Sequence, residues 1–235
     1  MPPPQLPEDH YRDADFHAYI SPAGLPRQWD RGLTMQTGLL RRHLDEGAGV
    51  LEVGCGQGVL LDRLRLAGFR TVGLEPSRAA AARAADLGLM VINGELGAEP
   101  LSPERLGGPV SAVVFSHVLE HLPNPEAALR AAAAVPGCRY VLLVQANWRG
   151  WMARKQGAKW HAWVPDQHYW HFTPAGLTKF VTNLGWSVAE LEYSSLEHGS
   201  KFGTRLLERA GPLLDQFHLL VRIAPSRSTG TTNAL

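Results

Sequence analysis

Residues Val50-Leu51-Glu52-Val53-Gly54-Cys55-Gly56-Gln57-Gly58 carry an apolar run of strand length into a turn with glycine at every second position, and the helical pattern of 58–66 follows at once. Glycine accepts positive φ and leaves no Cβ where a ligand must come close to the backbone. A strand, this turn and a helix in that order therefore predict a ligand loop at the edge of a sheet. The spacing is GxGxG, not the GxGxxG of a dinucleotide fold, and Glu52 stands two residues before the first glycine. A carboxylate there sits poorly beside a pyrophosphate and well beside a cation.

Short apolar runs and helical stretches alternate beyond this loop. Strands are expected over 50–53, 71–74, 90–92, 111–115 and 140–144, with helices over 58–66, 77–88 and 125–134. Ser77 is the expected N-cap of the second helix. Thr173 and Pro174 open another, running to 183. Two more strands, 186–193 and 217–223, flank a helix near 204–214. Nearly continuous apolar strands alternating with helices predict an α/β fold, with a mostly parallel sheet covered on both faces. Leu25, Trp29, Leu33, Met35, Leu39, Leu40 and Leu44 recur at helical spacing and predict an N-terminal helical cap over 25–47. The expected organisation is one domain over 25–225, a disordered or extended segment over 1–24 and a disordered tail over 226–235.

Composition narrows the partner. The formal charge of +1 offers no net attraction for a polyanion, which disfavours nucleic acid and points to a small molecule. No apolar run is long enough for a membrane span, and the N-terminus lacks the basic-then-apolar layout of a signal peptide. Cys55 and Cys138 have no CxxC spacing, so neither a disulfide framework nor a zinc knuckle is expected. A cytoplasmic protein is the expectation, and nothing in the sequence sets an oligomeric state.

Two further carboxylates belong with the glycine loop. Glu75 ends the second strand in Gly73-Leu74-Glu75-Pro76-Ser77, where it can accept both hydroxyls of a ribose and would repel a 2′-phosphate. Asn93-Gly94-Glu95 puts a third on the same edge, where an adenine amino group can be read. Together they describe a positively charged nucleoside ligand without phosphates. Cys55 reads as a small packing residue, since adjacent glutamates raise a thiol pKa.

These segments, taken in order with His117-Val118-Leu119-Glu120-His121-Leu122-Pro123-Asn124-Pro125, resemble the class I S-adenosylmethionine-dependent methyltransferases. The branch they look most like contains the ubiquinone-biosynthesis O-methyltransferases and many natural-product methyltransferases. The resemblance covers roughly 50–223 and implies a Rossmann-like seven-stranded sheet whose last strand is antiparallel. It implies S-adenosyl-L-methionine as cofactor and S-adenosyl-L-homocysteine as product. It also implies that Glu52, Gly54, Cys55, Gly56 and Gly58 surround the methionine end, Glu75 and Pro76 the ribose, Gly94, Glu95 and Leu96 the adenine, and Ser116 with His117 the edge beside the methionine moiety. The expected reaction moves a methyl group to oxygen of a small metabolite, or less readily to nitrogen or carbon. A non-catalytic relative that only binds the cofactor and a metal-assisted RNA 2′-O-methyltransferase are the alternatives.

Such a transfer needs alignment, exclusion of water and at times a base. His117, His168, His171 and His121 are the candidate bases, with His117 and His168 foremost. His117 to His121 also matches the inverted zinc-peptidase pattern HxxEH, but Pro123 and Pro125 cut off the sustained helix that pattern needs. No metal is the expectation. The alternative puts a divalent cation on Glu120 and His121 with His168 or His171, where relatives carry ExxEH and this chain has His117 at the first position. Glu120 reads more simply as a stabiliser of its own turn.

Tryptophan is crowded into an insertion over 147–172, after the fifth strand. Loops beyond the carboxyl ends of parallel strands form the ligand crevice, so Trp148, Trp151, Trp160, Trp163, Tyr169 and Trp170 are expected either to contact the acceptor or to form a satellite core with Trp29.

Overall fold

The computed structural model describes residues 10–13, 27–194 and 211–223. Seven strands form one sheet in the order β3-β2-β1-β4-β5-β7-β6. Their bounds are β1 Gly49–Val53, β2 Arg70–Glu75, β3 Val91–Asn93, β4 Ala112–Ser116, β5 Tyr140–Ala146, β6 Ser187–Ser194 and β7 Gln216–Arg222. β1 to β5 pair in parallel, and β7 runs antiparallel between β5 and β6. The α/β sheet with its antiparallel last strand is the one expected, with strand ends displaced by a residue or so.

Alternation along the strands divides the core into two layers. Leu51, Val53, Val113, Phe115, Val141 and Leu143 face one side. There they meet Leu129 and Ala132 of α5 (Pro125–Ala133) and Leu177 and Val181 of α7 (Pro174–Asn183). Val50, Val114, Leu142, Val144 and Leu220 face the other side. Against them pack Leu39 and Leu40 of α2 (Arg27–His43) and Leu60 and Leu64 of α3 (Val59–Leu66). α4 (Arg78–Asp86) joins that second side through Ala84, which packs with Leu61 and Leu89. Helices that follow β1 and β4 thus lie on opposite faces, and the crevice between these two strand ends is the switch point where such sheets bind ligands.

The predicted caps form. The Ser77 hydroxyl accepts from the Ala80 N–H at 3.3 Å, and the Thr173 hydroxyl from the Gly176 N–H at 3.0 Å, with Pro174 opening α7. Asn124 does the same for α5 through the Ala127 N–H at 3.0 Å. Each such cap contributes about 1 kcal/mol to its helix.

The N-terminal segment departs from its expectation in one place. Residues His10–Asp13 form a helical turn, α1, instead of an extended or disordered stretch. The reason is tertiary: the Tyr11 phenol bonds His121 Nδ1 at 3.0 Å, with the two rings edge to face. The rest of 1–24, residues 204–210 of the helix expected near 204–214 and the tail over 226–235 lie outside the described residues, and Gly211–Leu213 form a 3-10 turn. Among the described residues no helix is long and apolar enough to cross a membrane.

Candidate functional site

The parallel strands end together, so Glu52, Glu75, Ser116 with His117, and Asn147 come to one edge in order of strand. Gly54 and Gly58 are required there by the fold itself. Gly54 has φ +66°, and a Cβ on it would stand 2.7 Å from Val118 Cγ2. Gly58, at φ +81°, caps α3, and its Cβ would meet Leu89 at 2.4 Å and Ala84 at 3.1 Å. Gly56 is tied to the acidic edge: its N–H donates to Glu75 Oε2 at 2.7 Å, while the Ser77 N–H donates to Glu75 Oε1 at 2.8 Å. Each carboxylate oxygen keeps acceptor capacity for a further donor.

Glu52 is 4% exposed, and its Oε2 is buried with no hydrogen-bond partner. Burial, then the charge of Glu75, raises its pKa well above the usual carboxylate range. Two buried carboxylates beside a glycine turn favour a cationic ligand, and a bound ammonium or sulfonium would lower the Glu52 pKa again. The donor set of a cationic nucleoside therefore fits this edge. Cys55 packs as expected. Its side chain is buried, and a Cβ on Gly73 would lie 2.5 Å from its Sγ, so the thiol packs against β2 and only its backbone belongs to the loop. Burial, Glu52 and Glu75 all raise its pKa, which removes it as a nucleophile. Beyond β3, Glu95 is exposed and Leu96 packs against the core. Asn93 holds the β2 tip, its amide donating to the carbonyls of Glu75 at 2.8 Å and Pro76 at 3.0 Å.

The histidine edge is built on a 3-10 turn, Leu119–His121, that follows β4. Glu120 is 4% exposed. Its Oε2 accepts from Gln145 Nε2 at 2.9 Å, and its Oε1 lies 3.5 Å from His117 Nδ1. Hydrogen bonding and charge from His117, with His121 adding charge, outweigh burial and hold its pKa down at about 2. His117 itself has φ +55°, unusual for a residue with a side chain. With Nδ1 turned to Glu120, its Nε2 is the atom left for a ligand. Glu120, His121 and His168 bring one ligand atom each within 4.8 Å of one another, so the cation alternative has a geometrically possible triad that includes His168.

His168 is half-buried, and burial foremost pushes its pKa down to about 4, with His121 adding to the shift. His171 is shifted the same way by burial, and its Nε2 is buried without a partner. Its ring lies 4.8 Å from Trp148 and 4.6 Å from Trp163, centroid to centroid, inside the tryptophan cluster.

The insertion divides into packed and open tryptophans. Trp160 is 2% exposed and forms a satellite core with Ala153 and Ala162, so direct stacking on an acceptor is not open to it. Trp170 is pinned instead, its Nε1 donating to the Leu122 carbonyl at 3.0 Å. The Tyr169 and Trp170 N–H groups both donate to the Glu120 carbonyl. Trp148, Trp151 and Trp170 are exposed, with the Lys155 ammonium 4.6 Å above the Trp151 ring. The side chain of Trp29 lies outside the described residues.

Gln145, Asn93 and Tyr11 are the site residues that sequence reasoning missed. Gln145 did carry a signal, since an amide that continues the apolar run of β5 must find a buried partner.

His168 and the wholly buried His218 set the response to acid. His218, on β7, bonds the Ser194 hydroxyl at 2.8 Å, and burial drives its pKa down to about 3. Both rings bind a proton more weakly folded than unfolded, so their stabilisation is complete above pH 6.5 and is lost as pH falls from there toward 4 and 3. At pH 5 the buried His218 should account for a loss of about 2 kcal/mol, and the half-buried His168, screened by solvent, for less. Thermal melts from pH 7.5 to 5 should show falling Tm, and His218→Leu should flatten the slope; an unchanged slope in that variant would refute the assignment.

The profile of the family described as Methyltransferase domain matches residues 25–191, most of the chain. Among curated proteins, the chain is 30% identical over 157 residues to the ubiquinone biosynthesis O-methyltransferase of Cupriavidus pinatubonensis, covering 62% of each. It is 27% identical over 240 residues to the protein of the same name from Escherichia coli, covering 90% of this chain and 93% of that one. The alignments with several of these curated relatives span only about two fifths to three fifths of their length. Among solved structures, magnesium protoporphyrin IX methyltransferase from Synechocystis PCC 6803 with bound SAH superposes with a TM-score of 0.62 at 15% identity, covering 88% of this chain and 90% of that one. At these identities the structural likeness speaks for the fold. The profile match, over a sheet of this order with its glycine turn at the end of β1, places the chain in the methyltransferase domain family.

Proposed function

We propose that the chain is an S-adenosylmethionine-dependent methyltransferase that methylates oxygen, less readily nitrogen or carbon, of a small-molecule acceptor. The observation that carries this reading is the buried Glu52, orphaned at Oε2 beside Glu75 in a glycine turn. The names of the curated relatives support oxygen as the methylated atom. S-adenosylmethionine supplies, when bound, an electrophilic methyl group on a cationic sulfur. Glu52 would compensate the positive charge of the methionine end, and Glu75 would accept the ribose hydroxyls while its bonds to Gly56 and Ser77 keep the loop in place. His117 Nε2 would take the acceptor's proton, with Glu120 behind it orienting the ring and stabilising the imidazolium. His168, neutral at pH 7, would orient the acceptor more than deprotonate it.

Calorimetry should give a Kd on the order of micromolar for S-adenosylhomocysteine and no heat with NAD. Binding of NAD with silence toward S-adenosylhomocysteine would overturn the reading. His117→Ala should lower turnover about 100-fold with cofactor affinity nearly unchanged, and His168→Ala should act mainly on acceptor KM. The proximity of Glu120, His121 and His168 favours a second reading, in which a divalent cation on these residues activates the acceptor. The same turnover assay in excess EDTA decides between them: full activity removes the cation, and loss restored by magnesium removes His117 as the sole base.

A further inference from the structure

The Trp148 and Trp163 rings, with centroids 4.8 Å apart and planes 32° from parallel, separate two spaces. On the inner side Trp148 borders the narrow cleft that contains Glu120, Gln145, His168 and His171. On the outer side Trp148 and Trp163 line a second cavity of about 470 Å³, together with Arg149, Arg154 and the chain turn at Gly157 and Ala158. No carboxylate lines this outer cavity. Among the described residues neither guanidinium makes an ion pair. Lys155 and Lys159 add further positive charge on the same short segment.

The wall is braced. Trp160 and His171 pack against Trp148 from behind, and the Trp148 N–H donates to the Phe172 carbonyl at 3.0 Å. The volume is that of a small-molecule site. An indole pair offers flat apolar area for a ring, and a guanidinium offers a planar fork that matches a carboxylate. Both guanidinium groups are exposed, so an anion gains an attraction that a neutral ring lacks, and a cationic ring would be repelled.

We infer that this outer cavity binds an aromatic anion, its ring against Trp148 and Trp163 and its carboxylate or similar group on Arg149 and Arg154. The indole pair stands between this site and the cleft with Glu120 and the histidines, so the site is a ligand pocket beside the methyl-transfer edge, separate from the place where the acceptor reacts.

The test is calorimetry on the full chain saturated with S-adenosylhomocysteine, with 2-naphthoate and its neutral isostere 2-naphthamide as probes. Naphthoate should bind at least about tenfold more tightly, and the double variant Arg149→Gln, Arg154→Gln should erase that preference while its melting temperature and its S-adenosylhomocysteine affinity stay unchanged. Equal affinities for the two probes, or a preference that persists in the double variant, would overturn the assignment. So would a decauridylate that binds through the two arginines and displaces naphthoate, which would make the face a nucleic-acid surface. Failure of the wild type to bind S-adenosylhomocysteine would overturn the methyltransferase reading alone, whereas cofactor binding without naphthoate preference overturns this assignment alone.

Discussion

Glu75→Ala should weaken S-adenosylhomocysteine binding by about 100-fold or more while the protein stays folded. Two hydrogen bonds from ribose hydroxyls to a carboxylate are each worth about 1.5 to 3 kcal/mol, and 3 kcal/mol already exceeds a hundredfold in Kd. The variant also releases the Gly56 and Ser77 N–H groups, so the turn loses its tie to the tip of β2 just where the ligand lies against it. Removing the neighbouring charge lets the Glu52 pKa fall, since Glu75 is one of the two causes that raise it. Glu75→Gln, which keeps one acceptor oxygen, should fall between alanine and wild type. Calorimetry gives the affinities, and near-ultraviolet circular dichroism verifies the fold. A Glu75→Ala protein that binds within tenfold of wild type would place the ribose elsewhere.

The second large effect is on stability. Glu120→Ala removes an acid that is buried, accepts from Gln145 and faces His117. Truncating one partner of a buried pair typically costs 3 to 5 kcal/mol, because the remaining groups are left desolvated and unpaired. For a domain of this size a loss of about 3 kcal/mol lowers Tm by roughly 6 to 12 °C. Glu120→Gln, which keeps the contact with Gln145 and loses the charge, should cost less. The sign with pH distinguishes Glu120 from the buried histidines. Its pKa is depressed to about 2, so its stabilisation is present above the ordinary carboxylate value and is lost only as pH falls through 4.5 toward 2. The decline between pH 6.5 and 5 should therefore belong to the histidines His168, His171 and His218 and persist in Glu120→Gln. A variant with wild-type Tm would mean that Glu120 contributes nothing to the fold and is retained for the reaction alone.

The sequence by itself determined the order of strands and helices, the two covered faces of the sheet, the caps at Ser77 and Thr173 and the acidic glycine turn. All of these depend on periodicity or spacing within a few residues, where the geometry of a strand or a helix turn leaves little choice. The glycine turn nonetheless says less about the ligand than its pattern suggests, because Gly54 and Gly58 are demanded by Val118, Ala84 and Leu89 whether or not anything binds. What points to a cation is the burial of Glu52 next to Glu75, and burial follows from packing.

Tertiary structure alone decided which distant residues meet. Glu120 finds Gln145 on β5 and His168 in the insertion, and His121 finds Tyr11 near the N-terminus. It also sorted the tryptophans, burying Trp160 in a satellite core and leaving Trp148 on a cavity wall with Arg149 and Arg154. Such partners are set by how loops close over the ends of the strands, where no local period constrains the chain and one residue of displacement exchanges an inward side chain for an outward one.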